Sequence, residues 1–545
     1  MSSSPIEVTD VVDALKANGF TYLSASQDGW LRFSGELKAA GSAHDCTVEV
    51  DSDLHEVPRV WLNRLPSAIP SVLPHLGASG QLCYLAAGSV VFDMFDPVGQ
   101  TLACIAQAER VLDSVLRGQL LEDLEDEFFA FWGGPFCLVD LQGAQLGRQD
   151  AYLANKGAAR DSMILGVVTD NKDRTVAKLK PLGWAPAEKP VLAIRVKTTA
   201  KPRPDQRNWP PKTMQQLLQW QNKLDQRCRK KIENRLQAAF DAKAPHALVL
   251  IESPLLTYGF ATIFERPAGP RRPAKSARQR LYEQDLIPLS VVRIDDRYMA
   301  ERNLPGGRTL AGMSIAVVGC GTIGGYLSDM LVKAGAGTSG GKLTLVDPDI
   351  FKPNNLGRHR LGFPDLFKNK ATQLREELRR GAPGAVVTAL PVDIRGAELG
   401  KVDLLIDATG EEALGHWMTW RYKTTAPILS VWVEGAGLAV RALLRASSTG
   451  ACHRCLSDHV RSGQFMVLDA HTPTVMKGHG CEGLYVPFPA TVSVQAASVA
   501  VEMVQSWANG SSEPALRTRL LETGRTLASP DCSPPARPGC PACSS

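Results

Sequence analysis

The sequence has no uninterrupted apolar run long enough to cross a bilayer. Its most apolar stretch, residues 247–264, is broken by Glu252, Ser253 and Pro254, short of the roughly 20 residues that a spanning helix needs. The opening MSSSPIEVTD has no basic region followed by an apolar one, so a secretory leader is not expected. No charge of one sign dominates: the net charge is +5 over 545 residues, too small to argue for or against a nucleic-acid partner. A cytoplasmic enzyme with no membrane contact and no direct nucleic-acid contact is the expectation. In that reducing compartment the twelve cysteines should be free, catalytic or metal-bound and not disulfide-bonded. A hydrophobic share of 44% and a charged share of 21% are ordinary globular values. The length leaves room for roughly two to four domains.

What is present falls into three blocks. Residues 1–150 open with an expected helix over 8–18, followed by strand-like runs at 30–33, 46–50 and 59–62. Turn-rich pieces between them suggest an antiparallel meander. A stretch punctuated by Pro74, Gly77 and Gly80 then leads to Cys83, and a helix over 102–116 closes an α+β block. Residues 151–268 offer strands near 163–168, 191–196 and 247–251. A single helix is expected over 213–240, with Leu217, Trp220, Leu224, Ile232, Leu236 and Phe240 on one face. This block reads as a packing or linker domain, and 269–280, rich in Pro, Arg and Lys, reads as an exposed linker. From about 285 to 545, strands (314–318, 342–346, 386–390, 404–406, 428–431) alternate with helices (326–333, 371–379). That alternation predicts an α/β, doubly wound parallel sheet.

The strand run 314–318 leads into Gly319-Cys320-Gly321-Thr322-Ile323-Gly324 and a helix. Gly319, Gly321 and Gly324 permit a tight turn and close backbone approach, and the helix N-terminus offers free N–H groups to phosphate. Asp347 ends the next strand, at the spacing where an acid holds the ribose hydroxyls. A dehydrogenase would show this much. Asn354-Asn355-Leu356-Gly357-Arg358-His359 and then Lys370 fit hydride transfer poorly. They fit adenylation, in which charge builds on the α-phosphate and the departing pyrophosphate.

On these residues, 313–543 resembles the ubiquitin-activating superfamily, including the ThiF/MoeB-type enzymes of thiamine and molybdopterin biosynthesis. The resemblance implies a Rossmann-like fold that binds ATP with Mg2+, the ribose on Asp347, and the phosphates on Asn355, Arg358 and Lys370. It also implies a homodimer that completes the ATP site, with Arg302 a candidate to reach across. One departure stands out. The family has Asp-x-Thr-Asp where this chain has Asp407-Ala408-Thr409-Gly410-Glu411. Asp407 matches the first acid, but Gly410 replaces the metal-binding one, so magnesium falls to Asp407, to Glu411 or mainly to ATP.

Cys452-His453-Arg454-Cys455 and Cys540-Pro541-Ala542-Cys543 are two CxxC pairs. Four thiolates complete a tetrahedral zinc site, here a staple for the C-terminal tail, with Cys532 a possible stand-in. Cys481 sits between glycines in Gly478-His479-Gly480-Cys481-Glu482-Gly483. The resembling enzymes carry a mobile loop with a thiol nucleophile here, and an acyl-adenylate needs such a thiolate before water arrives. Cys83, preceded by His75 and Gly80, resembles the acceptor thiol of a ubiquitin-conjugating fold, although the Asn that supports the oxyanion there is absent. Cys46, Cys104, Cys137, Cys228 and Cys320 read as structural.

Together these features resemble a fused conjugating–activating enzyme, as in bacterial type II CBASS anti-phage operons. The resemblance implies a ubiquitin-like modifier or a cyclic-nucleotide synthase as the partner whose C-terminus is activated. The acyl group would pass from Cys481 to Cys83 and on to lysine amines of target proteins. A sulfur-carrier adenylyltransferase with inert Cys83, or a non-catalytic nucleotide-binding scaffold, are the alternatives.

Overall fold

The computed structural model describes residues 8–65, 72–77, 79–86, 88–143, 145–156, 163–265, 276–304, 306–468, 476–477 and 485–544. The chain divides into two compact units. One comprises Met1–Cys137, Gln145–Leu153 and Lys189–Val292; the other comprises Leu138–Ala144, Ala154–Glu188 and Arg293–Ser545.

The first unit begins with the helix Val8–Ala17 and a sheet ordered Thr21–Ala25, Trp30–Ala39, Ser42–Asp51, Arg59–Leu62, Gln81–Leu82, each strand antiparallel to the next. The two long strands exceed the sequence expectation because Ala40 and Gly41, both at positive φ, close a two-residue hairpin whose twist suits the strands. Phe33, Leu37, Cys46 and Val48 are fully buried on the inner face, against Ala108 and Leu112 of the helix Pro97–Leu116. That helix starts earlier than expected. Asp96 caps it by accepting the Gly99 amide, and Pro97 takes the first position, where its missing N–H costs nothing.

Farther along the same unit, Val191–Lys197 runs parallel to His246–Glu252, which pairs antiparallel with Thr257–Ile263. The single helix expected over 213–240 is two helices, Met214–Leu224 and Gln226–Asp241. The break is at Asp225, whose backbone is extended. Its carboxylate accepts the amides of Arg227 and Cys228 and the hydroxyl of Thr198, so a local cap outcompetes helix continuation. Phe128, Trp132, Trp209, Trp220 and Tyr258 form one cluster, with neighbouring rings 5.1–6.0 Å apart. The expected linker 269–280 is helical at its end: Ala277–Tyr282 starts in a capping box between Ser276 and Gln279 and buries Leu281.

The second unit carries a seven-stranded sheet. Its order is Val387–Leu390, Lys342–Val346, Ser314–Val318, Leu404–Asp407, Ile428–Glu434, Ala439–Arg445, Leu516–Leu520. The first five strands are parallel, as the alternation predicts, and the last two are antiparallel additions. Helices Thr322–Lys333, Lys370–Gly381 and Ala490–Ala508 join the core of one face; Met418 and Tyr422 of Glu412–Tyr422 join that of the other. Both faces are therefore covered, which explains the nearly unbroken apolar strands. No helix among the described residues is long and apolar enough to cross a membrane.

Candidate functional site

The glycine loop is held by its own backbone. Gly319 has φ +88°, open to glycine at little cost, and its amide donates to the Val346 carbonyl at 2.9 Å. A Cβ at Gly324 would lie 1.8 Å from the Gly319 carbonyl oxygen, whereas one at Gly321 would meet nothing within 4 Å. Gly324 thus lets the helix Thr322–Lys333 start against the strand, and Gly321 leaves its amide end open.

Asp347 lies across this turn. One carboxylate oxygen accepts the Cys320 amide at 2.7 Å and the other accepts the Asp349 amide at 2.8 Å. Burial pushes this carboxyl above its ordinary range. Lys370 is buried at the start of its helix and pairs with Asp349 at 2.8 Å. Asn369 caps that helix and donates to the carbonyls of Asp347 and Asp349. Asp347, Lys370 and the glycine loop are therefore joined through Asp349 and Asn369 in one hydrogen-bonded assembly. Asn355 sits in the short turn Pro353–Asn355.

A cavity of about 560 Å³ opens beside this assembly, lined by Gly321, Thr322, Arg358, Asp407, Glu411 and Arg441 among others. Asp347, Asn355 and Lys370 are not in its lining. Arg358 donates to the Val486 carbonyl at 2.8 Å and lies over the Phe488 ring. Asp407, buried at the end of its strand, accepts the amide and hydroxyl of Thr409, and burial pushes it up to about 6. Gly410, at φ +71°, turns the chain so that Glu411 also faces the cavity.

Cys481 lies outside the described residues. The segment that carries it is framed by Lys477 and Tyr485, whose backbones exchange two 2.9 Å hydrogen bonds. Val486 and Phe488, just beyond, form part of the cavity wall.

Cys452, Cys455, Cys540 and Cys543 converge. All four sulfur atoms lie within 4.8 Å of one another, with individual pairs at 3.5, 3.7 and 3.8 Å. Tetrahedral thiolates at about 2.3 Å from zinc would be roughly 3.8 Å apart, so the donor set fits that ion. Cys532 stands apart from the cluster.

In the first unit, Cys83 is an exposed thiol. Burial of part of its surroundings and then the Glu127 charge push it upward. His75, at φ +61°, pairs with Glu127 through Nδ1 at 2.8 Å and with Asp123 through Nε2 at 2.9 Å. Glu127 is fixed in turn because the next residue, Phe128, is locked into the aromatic cluster. Sequence reading missed both acids, which lie about fifty residues from His75. His359, named in the run that ends the expected phosphate motif but given no role there, is buried directly after Arg358, and its Nε2 bonds the Cys320 carbonyl at 2.8 Å. Its place in the Asn-Leu-x-Arg-His run was the available signal.

Two family models match the chain: the ThiF family over residues 296–542 and the Prokaryotic E2 family B over 17–134. The chain is 52% identical over 546 residues to the ATP-dependent ubiquitin transferase-like protein Cap2 of Pseudomonas aeruginosa, with 100% of both chains covered. Proteins of the same name from Escherichia coli and Vibrio cholerae match at 25% and 26% identity. The former match covers 90% of this chain and 89% of its relative, and the latter covers 86% of each.

Proposed function

This chain belongs to the family of ATP-dependent ubiquitin transferase-like proteins, and on that premise we propose that it acts in the cytoplasm and performs the conjugation step of a CBASS defence system as follows. The enzyme combines a ThiF-type adenylation fold with an N-terminal E2-like domain. The domains we assign are 1–150 for conjugation, 151–268 for packing and 285–545 for activation.

The observation that carries the reading is the cavity that starts at the open amide end of the helix Thr322–Lys333 and is walled by the residues next to the Cys481 segment. Its lining combines a helix amide end, the carboxylates of Asp407 and Glu411, and residues that follow Cys481 closely in sequence, which supports binding of phosphate and metal there. In the first step the partner's C-terminal carboxylate attacks the α-phosphate and pyrophosphate departs. The helix amides, Arg358, Asn355 and Lys370 hold the phosphates while Asp347 orients the ribose. Asp407 or Glu411 would hold Mg2+ unless ATP itself holds most of it, and the ion would supply neutralisation of phosphate charge. The Cys481 thiolate then attacks the acyl carbon and AMP leaves. The Cys83 thiolate takes the acyl group and releases Cys481. A target lysine amine attacks that thioester, losing a proton as Cys83 departs and the amide forms. Sharing one chain keeps the two thiols at an effective concentration on the order of millimolar.

The partner is a ubiquitin-like modifier or a cyclic-nucleotide synthase, the cluster of Cys452, Cys455, Cys540 and Cys543 holds structural Zn2+, and the working form is a homodimer to which Arg302 contributes across the interface. ATP–pyrophosphate exchange dependent on the partner, followed by a reductant-sensitive adduct on Cys83, tests the scheme. Exchange without any Cys83 adduct would instead favour sulfur-carrier activation.

A further inference from the structure

The sheet order separates the ribose acid from the cavity. Asp347 ends the strand on one side of Ser314–Val318, whereas Asp407, Trp432 with Glu434, and Arg441 come from the three strands on the other. A nucleotide that rests on Asp347 with its phosphates at Gly321 leaves the far part of the cavity free for a second ligand.

Arg441 and His453 both line the cavity with a buried nitrogen that has no hydrogen-bond partner among the described residues, and of the two it is Arg441 that carries a permanent charge. It is 2% exposed and lines the cavity. Its Nη1 lies 3.4 Å from a Glu434 oxygen that already accepts the Trp432 indole N–H at 2.8 Å. Its Nη2 donates to the Phe465 carbonyl at 2.8 Å, and its Nε has no hydrogen-bond partner among the described residues. A buried guanidinium with five donors is destabilising unless acceptors are supplied. Here the one carboxylate is at 3.4 Å and is shared with the Trp432 indole.

We propose that Arg441 anchors an oxygen acceptor, a main-chain carbonyl or an acidic side chain, in the C-terminal segment of the protein whose carboxylate is adenylated. The inference rests on the adenylation reading above and names the chemistry that the substrate tail must offer. Arg441 is on this view a specificity residue that does not touch the reacting atoms.

The test uses the full chain and short peptides with free C-termini, randomised over their last positions, in one pool with and one pool without Asp and Glu. ATP–pyrophosphate exchange gives KM and kcat for peptide, and equilibrium dialysis gives ATP affinity. Arg441→Met should raise peptide KM roughly ten- to a hundredfold, because a charged hydrogen bond is lost, with ATP affinity and kcat little changed. Glu434→Gln, which frees Arg441, should lower KM. An effect confined to the acidic pool identifies a side chain as the acceptor, and an equal effect in both identifies the backbone. Wild-type KM in a folded Arg441→Met protein overturns the proposal. If that variant does not fold, wild-type KM in both Arg441→Lys and Glu434→Gln overturns it. A wild-type protein that binds ATP but supports exchange with no pool overturns the adenylation reading and the anchor with it.

Discussion

The backbone amide of Cys83 donates a 2.7 Å hydrogen bond to the carbonyl of His75, so the backbones of the two residues are tied together. His75 in turn is clamped between Glu127 and Asp123. The Glu127 hydrogen bond, then opposing burial, then the Asp123 hydrogen bond bring its pKa from 6.5 up to about 9. A raised folded pKa contributes stability that is fully present below the unfolded value and lost as pH rises through the folded one. The first unit should therefore lose stability between about pH 6.5 and 9, by at most about 3 kcal/mol. His75→Gln should flatten that dependence. Histidine NMR should find the His75 midpoint near 9, and a midpoint near 6.5 would contradict the clamp.

The glycine loop predicts two unequal substitutions. Gly324→Ala places a methyl against the Gly319 carbonyl, and neither backbone segment can yield without moving the helix start. It should cost about 1–3 kcal/mol or more and remove ATP binding. Gly321→Ala meets open space, so melting should stay within about 0.5 kcal/mol of wild type while ATP affinity falls through crowding of the phosphates. Calorimetry with and without ATP separates the two, and equal melting for both variants would refute the loop geometry.

Legibility in the sequence followed the range of the interactions. The loop Gly319–Gly324 was readable because backbone geometry fixes its spacing within six residues, and so were the two CxxC pairs, whose ligands are set by local chain reach. The break at Asp225 was hidden because the apolar period continues through it, and the Thr198 hydroxyl that adds to its local cap is distant in sequence. Arg441 was hidden inside a strand whose every residue is buried, where a charge gives no periodic signal. The acids around His75 lie about fifty residues from it in sequence, so no local spacing announces them.

The cluster of Cys452, Cys455, Cys540 and Cys543 is expected to hold about one tetrahedral zinc per chain. Cys543→Ser, or prolonged chelation, should lower the melting temperature of the second unit, because metal-binding energy is there folding energy. Cys532→Ser should leave both metal content and melting unchanged, since its sulfur lies outside the cluster. Metal analysis of folded protein below about a tenth of a zinc per chain would remove the assignment.

The order of the two thiols gives the most discriminating prediction. Cys481 lies in sequence between the first CxxC pair and the helix Ala490–Ala508, a few residues before Val486 and Phe488 of the cavity wall. Cys83 lies in the region matched by the E2 model and has no glycine loop of its own. The acyl group should therefore reach Cys481 first. Cys481→Ala should leave ATP–pyrophosphate exchange intact and abolish both thioesters. Cys83→Ala should leave exchange and the Cys481 thioester intact and abolish transfer to amines. Asp347→Ala and Lys370→Ala should depress every step, because the assembly they form acts before any thiol does. Each residue stabilises a different transition state of one covalent relay, so the blocks should appear in sequence. A non-reducing gel with partner, ATP and each variant reads the order. Loading of Cys83 in Cys481→Ala would mean that the conjugating thiol attacks the acyl-adenylate directly. Reductant-resistant conjugates from Cys83→Ala would make the E2-like domain a docking module.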